Sequence, residues 1–437
     1  MVKNGKTKKK YHKPTKPQHH SSPPAAQEDK PITVKTLPAD LVLEILFRTP
    51  VKSLVRCNCV CKSWFALIHH PTFVKMHLDF NSSRKDKQLI CRSPEQTLIS
   101  LISLVKPPVI LLNINKYFTD RPNYPRKINF TDFSKNMVLA GSVNGIVCLS
   151  HYEEMSERFV ALWNPSIRYW KPVGLVGPKS WKNMSVGLGF DAVRKDYKII
   201  CIVPETRREN VVWSRIEIYS ANKGSWENVD EKGIIPFWPR PDLRHCNFIV
   251  KGVPYWVGID VGPGNEISSI LGKIDPCTGL YKKVMYPHHV KNKSTWVHPV
   301  NMRDSVAAVI QFPGEYPSGM IDLYLLDENN NKWTKMYSIW PLSSGHVFER
   351  LRIPQCFSTG EIVIETWIGN ENNSSDLFLG ICDPRTNVVH HNNEIEELNP
   401  YWYESYSHVE SLVCVKGMVQ IGKEHKDKRD NLKTKNW

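Results

Sequence analysis

Between residues 164 and 389 the chain repeats one pattern five times, at intervals of 52 to 56 residues. Each unit ends an apolar run on a small polar residue and places an aromatic or apolar residue six positions later. The pairs are Asn164 with Trp170, Ser220 with Trp226, Asp275 with Tyr281, Asp327 with Trp333, and Asp383 with Val389. A second landmark stands 23 residues before the first member in the last four units, at Tyr197, Gly252, Asp304 and Gly360; in the first unit it stands 19 residues before, at Gly145. Short apolar runs follow these landmarks, as in 199–203, 255–259, 306–310 and 362–364. A unit of this length holds several short strands but cannot bury its own sheet faces, so neighbouring units must stack. The repeat therefore predicts β-propeller blades, with a β-sandwich as the competing architecture. Residues 417–421 read as the start of a sixth unit lacking its second half, so closure is expected to borrow strands from residues 88–112. Aromatics at the repeat positions are read as blade core.

The segment before the repeats has a different character. Thr36 is a possible helix cap and Pro38 suits a first turn; Leu41, Val42, Leu43, Ile45, Leu46 and Phe47 follow, interrupted only by Glu44. Pro50 ends that helix, a second begins near Val51 with Leu54, Val55 and Val60, and a third holds Trp64, Phe65, Leu67 and Ile68 before Pro71 stops it. Three short helices in about 40 residues cannot bury so many large side chains among themselves. An apolar partner outside the module is implied.

A net charge of +15 on 437 residues raises the question of nucleic acid. Its distribution argues otherwise. Residues 1–16 contribute +7 and residues 423–437 contribute +3, which leaves +5 for everything between. That is too little to mark the body as a binder of phosphate backbones. Residues 1–35 are polar and lysine-rich and are expected to be a disordered tail, as are residues 423–437; Lys8, Lys9 and Lys10 are a candidate nuclear-import signal. Eleven cysteines without pairing spacings, and lysines where a secretory leader would be apolar, place the chain in cytoplasm or nucleus. The run 98–112 is broken by Lys106, Pro107 and Pro108, so no membrane span is expected.

The run Leu37-Pro38-Ala39-Asp40-Leu41-Val42-Leu43-Glu44-Ile45-Leu46, then Pro50-Val51-Lys52-Ser53-Leu54, then Cys59-Val60-Cys61-Lys62-Ser63-Trp64, resembles the plant F-box pattern. Thr49 and Asn58 depart from it. The segments Asn144-Gly145-Ile146-Val147-Cys148-Leu149, Leu162-Trp163-Asn164-Pro165-Ser166, Gly189-Phe190-Asp191 through Asp196-Tyr197-Lys198, and Glu410-Ser411-Leu412-Val413 resemble the F-box-associated, kelch-like region of plant F-box proteins. The expectation is an α+β multidomain chain: a basic tail at 1–35, a three-helix F-box at 36–80, an all-β, kelch-like β-propeller domain at 81–422, and a charged tail at 423–437. The resemblance implies docking on a Skp-type adaptor and, through it, a cullin, as the non-catalytic substrate-recognition subunit of a ubiquitin ligase. Carried across residue by residue, the adaptor contacts are Leu37, Pro38, Leu41, Ile45, Leu46, Leu54, Val55, Val60, Cys61 and Trp64.

No catalytic or cofactor site is read from the sequence. Cys57, Cys59 and Cys61 lack the Cys-x₂-Cys spacing of zinc sites and, on a helix, would point to different faces. His288, His289 and His298 read as loop histidines without a carboxylate or cysteine at ligand spacing. Gly262-Pro263-Gly264 lacks the third glycine and following helix of a phosphate loop. No nucleophile elbow or carboxylate pair appears, which leaves little for a propeller hydrolase. The competing readings are an adaptor-bound protein acting outside a cullin ligase and a nucleic-acid binder working through its tails. Loops 204–212, 231–244, 286–299 and 341–350 are candidates for holding an unidentified target.

Overall fold

The computed structural model describes residues 37–84, 88–92, 98–103, 109–113, 137–151, 159–174, 184–208, 211–228, 234–240, 245–261, 267–287, 296–311, 321–339, 348–352, 355–357, 359–369, 375–391 and 404–421. Both tails, Gly262-Pro263-Gly264, His288, His289, and the target loops at 231–233, 241–244, 288–295 and 341–347 lie outside these residues. Among the described residues, no helix is long and apolar enough to cross a membrane.

Four helices come first: α1 (Ala39–Phe47), α2 (Val51–Cys57), α3 (Lys62–Ile68) and α4 (Pro71–Ser83). The three-helix expectation is corrected by α4. Pro71 had been read as a stop, but it occupies the first turn of a new helix, where its missing N–H leaves nothing unpaired. The His70 ring caps that helix by accepting from the Thr72 amide at 3.3 Å. Val60 also falls outside α2, in the turn that precedes α3.

Among the described residues, the remainder folds into six antiparallel sheets of four or five strands. The sheet of residues 137–174 is followed by sheets at 185–228, 248–284, 296–339 and 348–391. A further sheet joins 88–92, 98–103 and 109–113 to the distant strand 404–408. Each sheet packs on the next. One apolar cluster links the first-strand region with the sheets at 137–174 and 185–228; others join the third sheet in this series to the fourth, and the fourth to the fifth. Leu89, Cys91, Phe357, Val363 and Ile381 then close the series by packing its end against strand 88–92. The architecture is propeller-like.

The physical basis of the repeat is visible in its turns. The first member of each pair ends a third strand or directly follows it, and its side chain accepts from an amide two or three residues on. Ser166 N reaches Asn164 Oδ1 at 2.9 Å, Lys223 N reaches Ser220 Oγ at 3.1 Å, and Cys277 N reaches Asp275 Oδ1 at 2.7 Å. Asn329 N reaches Asp327 Oδ1 at 3.0 Å, and Arg385 N reaches Asp383 Oδ1 at 2.9 Å. A short polar side chain is needed because it closes the turn locally. Four positions further on, Arg168, Gly224, Gly279, Asn331 and Asn387 all have positive φ. The aromatic then enters the outer strand, and two of these rings reach the preceding sheet: Trp226 Nε1 donates to Gly174 O and Trp333 Nε1 to Met285 O, each at 2.7 Å.

Closure differs from the sequence expectation in one respect. Residues 88–113 are indeed completed from the C-terminal side, but by strand 404–408, in register from Gln88↔His408 to Arg92↔Glu404. Residues 419–420 instead add an edge to the sheet at 137–174 by pairing with 169–170. The candidate loop 204–212 is mostly a hairpin extending strands 196–208 and 211–220, and His298 lies in strand 296–302 rather than a loop.

Gly272 faces the rings of Phe237 and Tyr281, which would stand 2.7–2.9 Å from an added Cβ. Gly272→Ala is therefore expected to lower unfolding stability by about 1–3 kcal/mol through overpacking. A denaturant titration reads this; an unchanged midpoint would contradict the packing described. A second expectation concerns His408, which is buried with Nδ1 2.9 Å from Ser142 Oγ, and whose burial pushes its pKa down to about 4. In the unfolded chain a histidine takes up its proton near pH 6.5. Stability is thus intact above that value and falls as pH drops toward 4, by at most about 1.4 kcal/mol per pH unit from this residue. Urea midpoints at pH 7 and pH 5 should differ less in His408→Asn than in the parent chain.

Candidate functional surface

Residues 37–45 present apolar side chains to solvent. Leu37, Leu41 and Ile45 are 57%, 52% and 54% exposed, and Pro38 and Leu43 are exposed as well. Leu41 and Ile45 are one helical turn apart and so share a side of α1. The first turn forms because Pro38 O accepts from the amides of Leu41 and Val42 at 3.0 and 3.1 Å.

From residue 46 onward, the helices form a small core of their own. Leu46, Val51, Leu54, Ile68 and Phe73 are buried, as is His77. Asn81 Nδ2 donates to His77 Nδ1 at 3.3 Å, which leaves Nε2–H to donate to Thr49 O at 3.0 Å. Burial holds the His77 pKa below its ordinary value, so the ring is neutral where it stacks on Phe73 and meets Phe47 edge-on. Thr49 thus serves α4 through its carbonyl, a role that depends little on its side chain.

Two of the expected contact residues, Leu46 and Leu54, belong to this core and offer no surface. Val55 and Trp64 are half-buried, while Val60 (61% exposed) and Cys61 are open to solvent. Phe65, which the sequence reading did not single out for contact, is 50% exposed and stacks on His69 at 4.1 Å between centroids. The sequence placed two aromatics side by side without saying which would turn inward. Met76 on α4 is a further exposed apolar residue that was missed.

Against the expectation of one helix, the three cysteines are divided: Cys57 ends α2, Cys59 lies in the following turn, and Cys61 stands at the start of α3. The Ser63 hydroxyl lies 3.1 Å from the Cys61 sulfur and, with the Trp64 amide, lowers the thiol pKa from its ordinary value.

Of the fourteen large apolar side chains exposed among the described residues, seven fall between residues 37 and 76. A segment so small would not leave that much apolar surface in water without a use for it. Comparison with known proteins gives the segment its family. Residues 34–80 match the F-box-like family, and residues 115–270 match the F-box associated beta propeller domain. The chain is similar to plant F-box proteins that carry an F-box-associated domain. An Arabidopsis thaliana F-box protein is 31% identical over 51% of this chain and 52% of its own length, and a second is 29% identical over 51% and 55%. The chain thus spans about half the length of these two relatives. The F-box protein CPR1 of the same plant is 22% identical over 72% of this chain and 76% of that one. The F-box match reaches residue 80 and so includes most of α4.

Proposed function

We propose that this chain is the substrate-recognition subunit of a Skp-cullin-F-box ubiquitin ligase, with its helices docked on a Skp-type adaptor and its β domain holding a target. The observation that carries the reading is the concentration of uncovered apolar side chains in the F-box helices. Leu37, Pro38, Leu41, Ile45, Val60 and Cys61, joined by Phe65, are the proposed contacts; Val55 and Trp64 lie half-covered at their margin, and Leu46 and Leu54 support them from inside. Fully burying a Leu or Ile is worth about 1.5–3 kcal/mol, so side chains already half-covered gain correspondingly less. Several such anchors together suffice for a stable interface when water is excluded around them.

The protein itself supplies no bond chemistry in this reading. Its contribution is to hold a target close to the activated carrier enzyme, which turns a rare encounter into a high local concentration. The 52 to 56-residue period supports a kelch-like kinship for the sheets. Cytoplasm and nucleus are the compartments proposed for such a complex.

Leu41→Asp and Val60→Asp are each expected to weaken adaptor binding by roughly 30-fold or more, the range of an interface hot spot. Val193→Asp, at an 80%-exposed turn of the β domain, should leave it unchanged. Calorimetric titration of the purified chain with a Skp-family protein reads the difference, and equal affinities across all four proteins would count against the proposal. Co-purification of a cullin with the complex distinguishes ligase membership from adaptor binding alone.

A further inference from the structure

Three short motifs far apart in the sequence meet at one place that the proposed adaptor contacts do not use. Beyond strand 404–408 the chain runs through residues 409–418 without helix or strand. This strap is fastened chiefly by one buried side chain. Asn164 Nδ2 donates to Ser411 O at 3.0 Å and Val413 O at 2.8 Å, and lies 3.2 Å from Ser411 Oγ, while its Oδ1 accepts from Ser166 N. Asn164 and Ser411 are both fully buried. Gly145 clears the way, since a Cβ there would stand 2.6 Å from Ser411 Cβ and 2.7 Å from Val409 O. Further along, Lys171 Nζ donates to Lys416 O at 2.8 Å, and Ile421 N to Arg168 O at 2.8 Å.

The same strap touches α4. Asn81, in the last turn of α4, donates from Nδ2 to Glu410 O at 3.1 Å. Its neighbour in the chain, Ser411, is the residue that Asn164 holds. The bond to Glu410 O thus ties α4 to a segment that lies 329 residues away in sequence. We infer that the strap 409–413 is the element that registers α4 on the β domain, with Asn164 and Asn81 as positioning residues acting on it from the sheet at 137–174 and from α4. This rests on the ligase reading for its purpose: a receptor that places a target at a set distance from its adaptor needs the two parts held in one orientation. Asn164 is the recurrent turn-closing residue in its sheet, and its amide group is turned to this second task. The equivalent positions Asp275, Asp327 and Asp383 bear carboxylates, which cannot donate to a carbonyl.

Hydrogen exchange measured by mass spectrometry on the full chain, free and adaptor-bound, tests the inference. Asn164→Ala should raise exchange at 409–413 by on the order of 10-fold, the loss of roughly one well-made hydrogen bond, and should raise exchange in the last turn of α4 with it. Coupling is reciprocal, so Asn81→Ala should loosen 409–413 while leaving the sheet at 137–174 as it was. Faster exchange confined to 137–174 and 409–413, with α4 unchanged in Asn164→Ala and the strap unchanged in Asn81→Ala, would overturn the inference. Should Asn164→Ala fail to fold, Asn81→Ala decides alone, because its side chain is at the margin of α4 and not in the sheet. Failure of the parent chain to bind adaptor would sink the ligase reading but leave the exchange result in the free chain readable.

Discussion

The β domain depends on the return of strand 404–408 to residues 88–92. Every sheet is built mainly from neighbours in sequence, but this pairing spans more than three hundred residues. The closing strand is held as much by polar groups as by apolar ones. Glu404 meets the Arg92 guanidinium at 3.2 Å in a buried ion pair and also accepts from the Leu139 amide. Gln355 Nε2 donates to Ser405 O at 3.1 Å, and the Tyr406 hydroxyl bonds to Cys246 O and the His245 ring. Such groups contribute little net stability over a well-packed apolar strand, but leaving one of them unpaired is costly. A strand shifted by two residues would keep the same face inward and lose every one of these partners. The polar pins therefore select the register of a contact that chain connectivity alone specifies poorly.

This contrast explains what could be read from the sequence. The five hairpins were legible because each is a local solution: a side-chain acceptor, a left-handed residue four positions on, and an aromatic or apolar residue two positions after that. Only two of the five left-handed positions are glycine, so a search for glycine would have missed Arg168, Asn331 and Asn387. The F-box was legible for the same reason, as a dense run of helix signals. What escaped was whatever a distant partner decides. Nothing local distinguishes 404–408 from 417–421 as the closing strand, and nothing local tells Trp64 from Phe65 as the ring to be covered. Pro71 escaped for a different reason, since a proline that stops one helix and a proline that begins the next look alike until the intervening residues are counted.

The helical segment shows the opposite balance of forces from the sheets. Its core is a handful of side chains around His77, a histidine kept neutral by burial and given a partner at each nitrogen. That is a modest core for four helices, and it leaves the segment dependent on what it touches elsewhere. One such contact is internal, through Asn81 and Glu410. Others remain open to solvent as apolar side chains at the start of α1 and around the turn into α3.

These features fit together if stability and recognition are divided between the two kinds of structure. The sheets cover Trp170 wholly and Trp226, Tyr281 and Trp333 in part, and use short polar side chains to close turns. The helices do the reverse and leave apolar residues on their surface. A chain of this design gains from holding both parts in one orientation, because local concentration falls with every added freedom between two binding sites. Asn164 sits where that demand meets the fold: the position needs an oxygen acceptor to close its turn, and an amide alone among the short turn-formers adds an N–H donor pair for the strap. Asparagine at this turn, with aspartate or serine at the others, is what the two requirements together select.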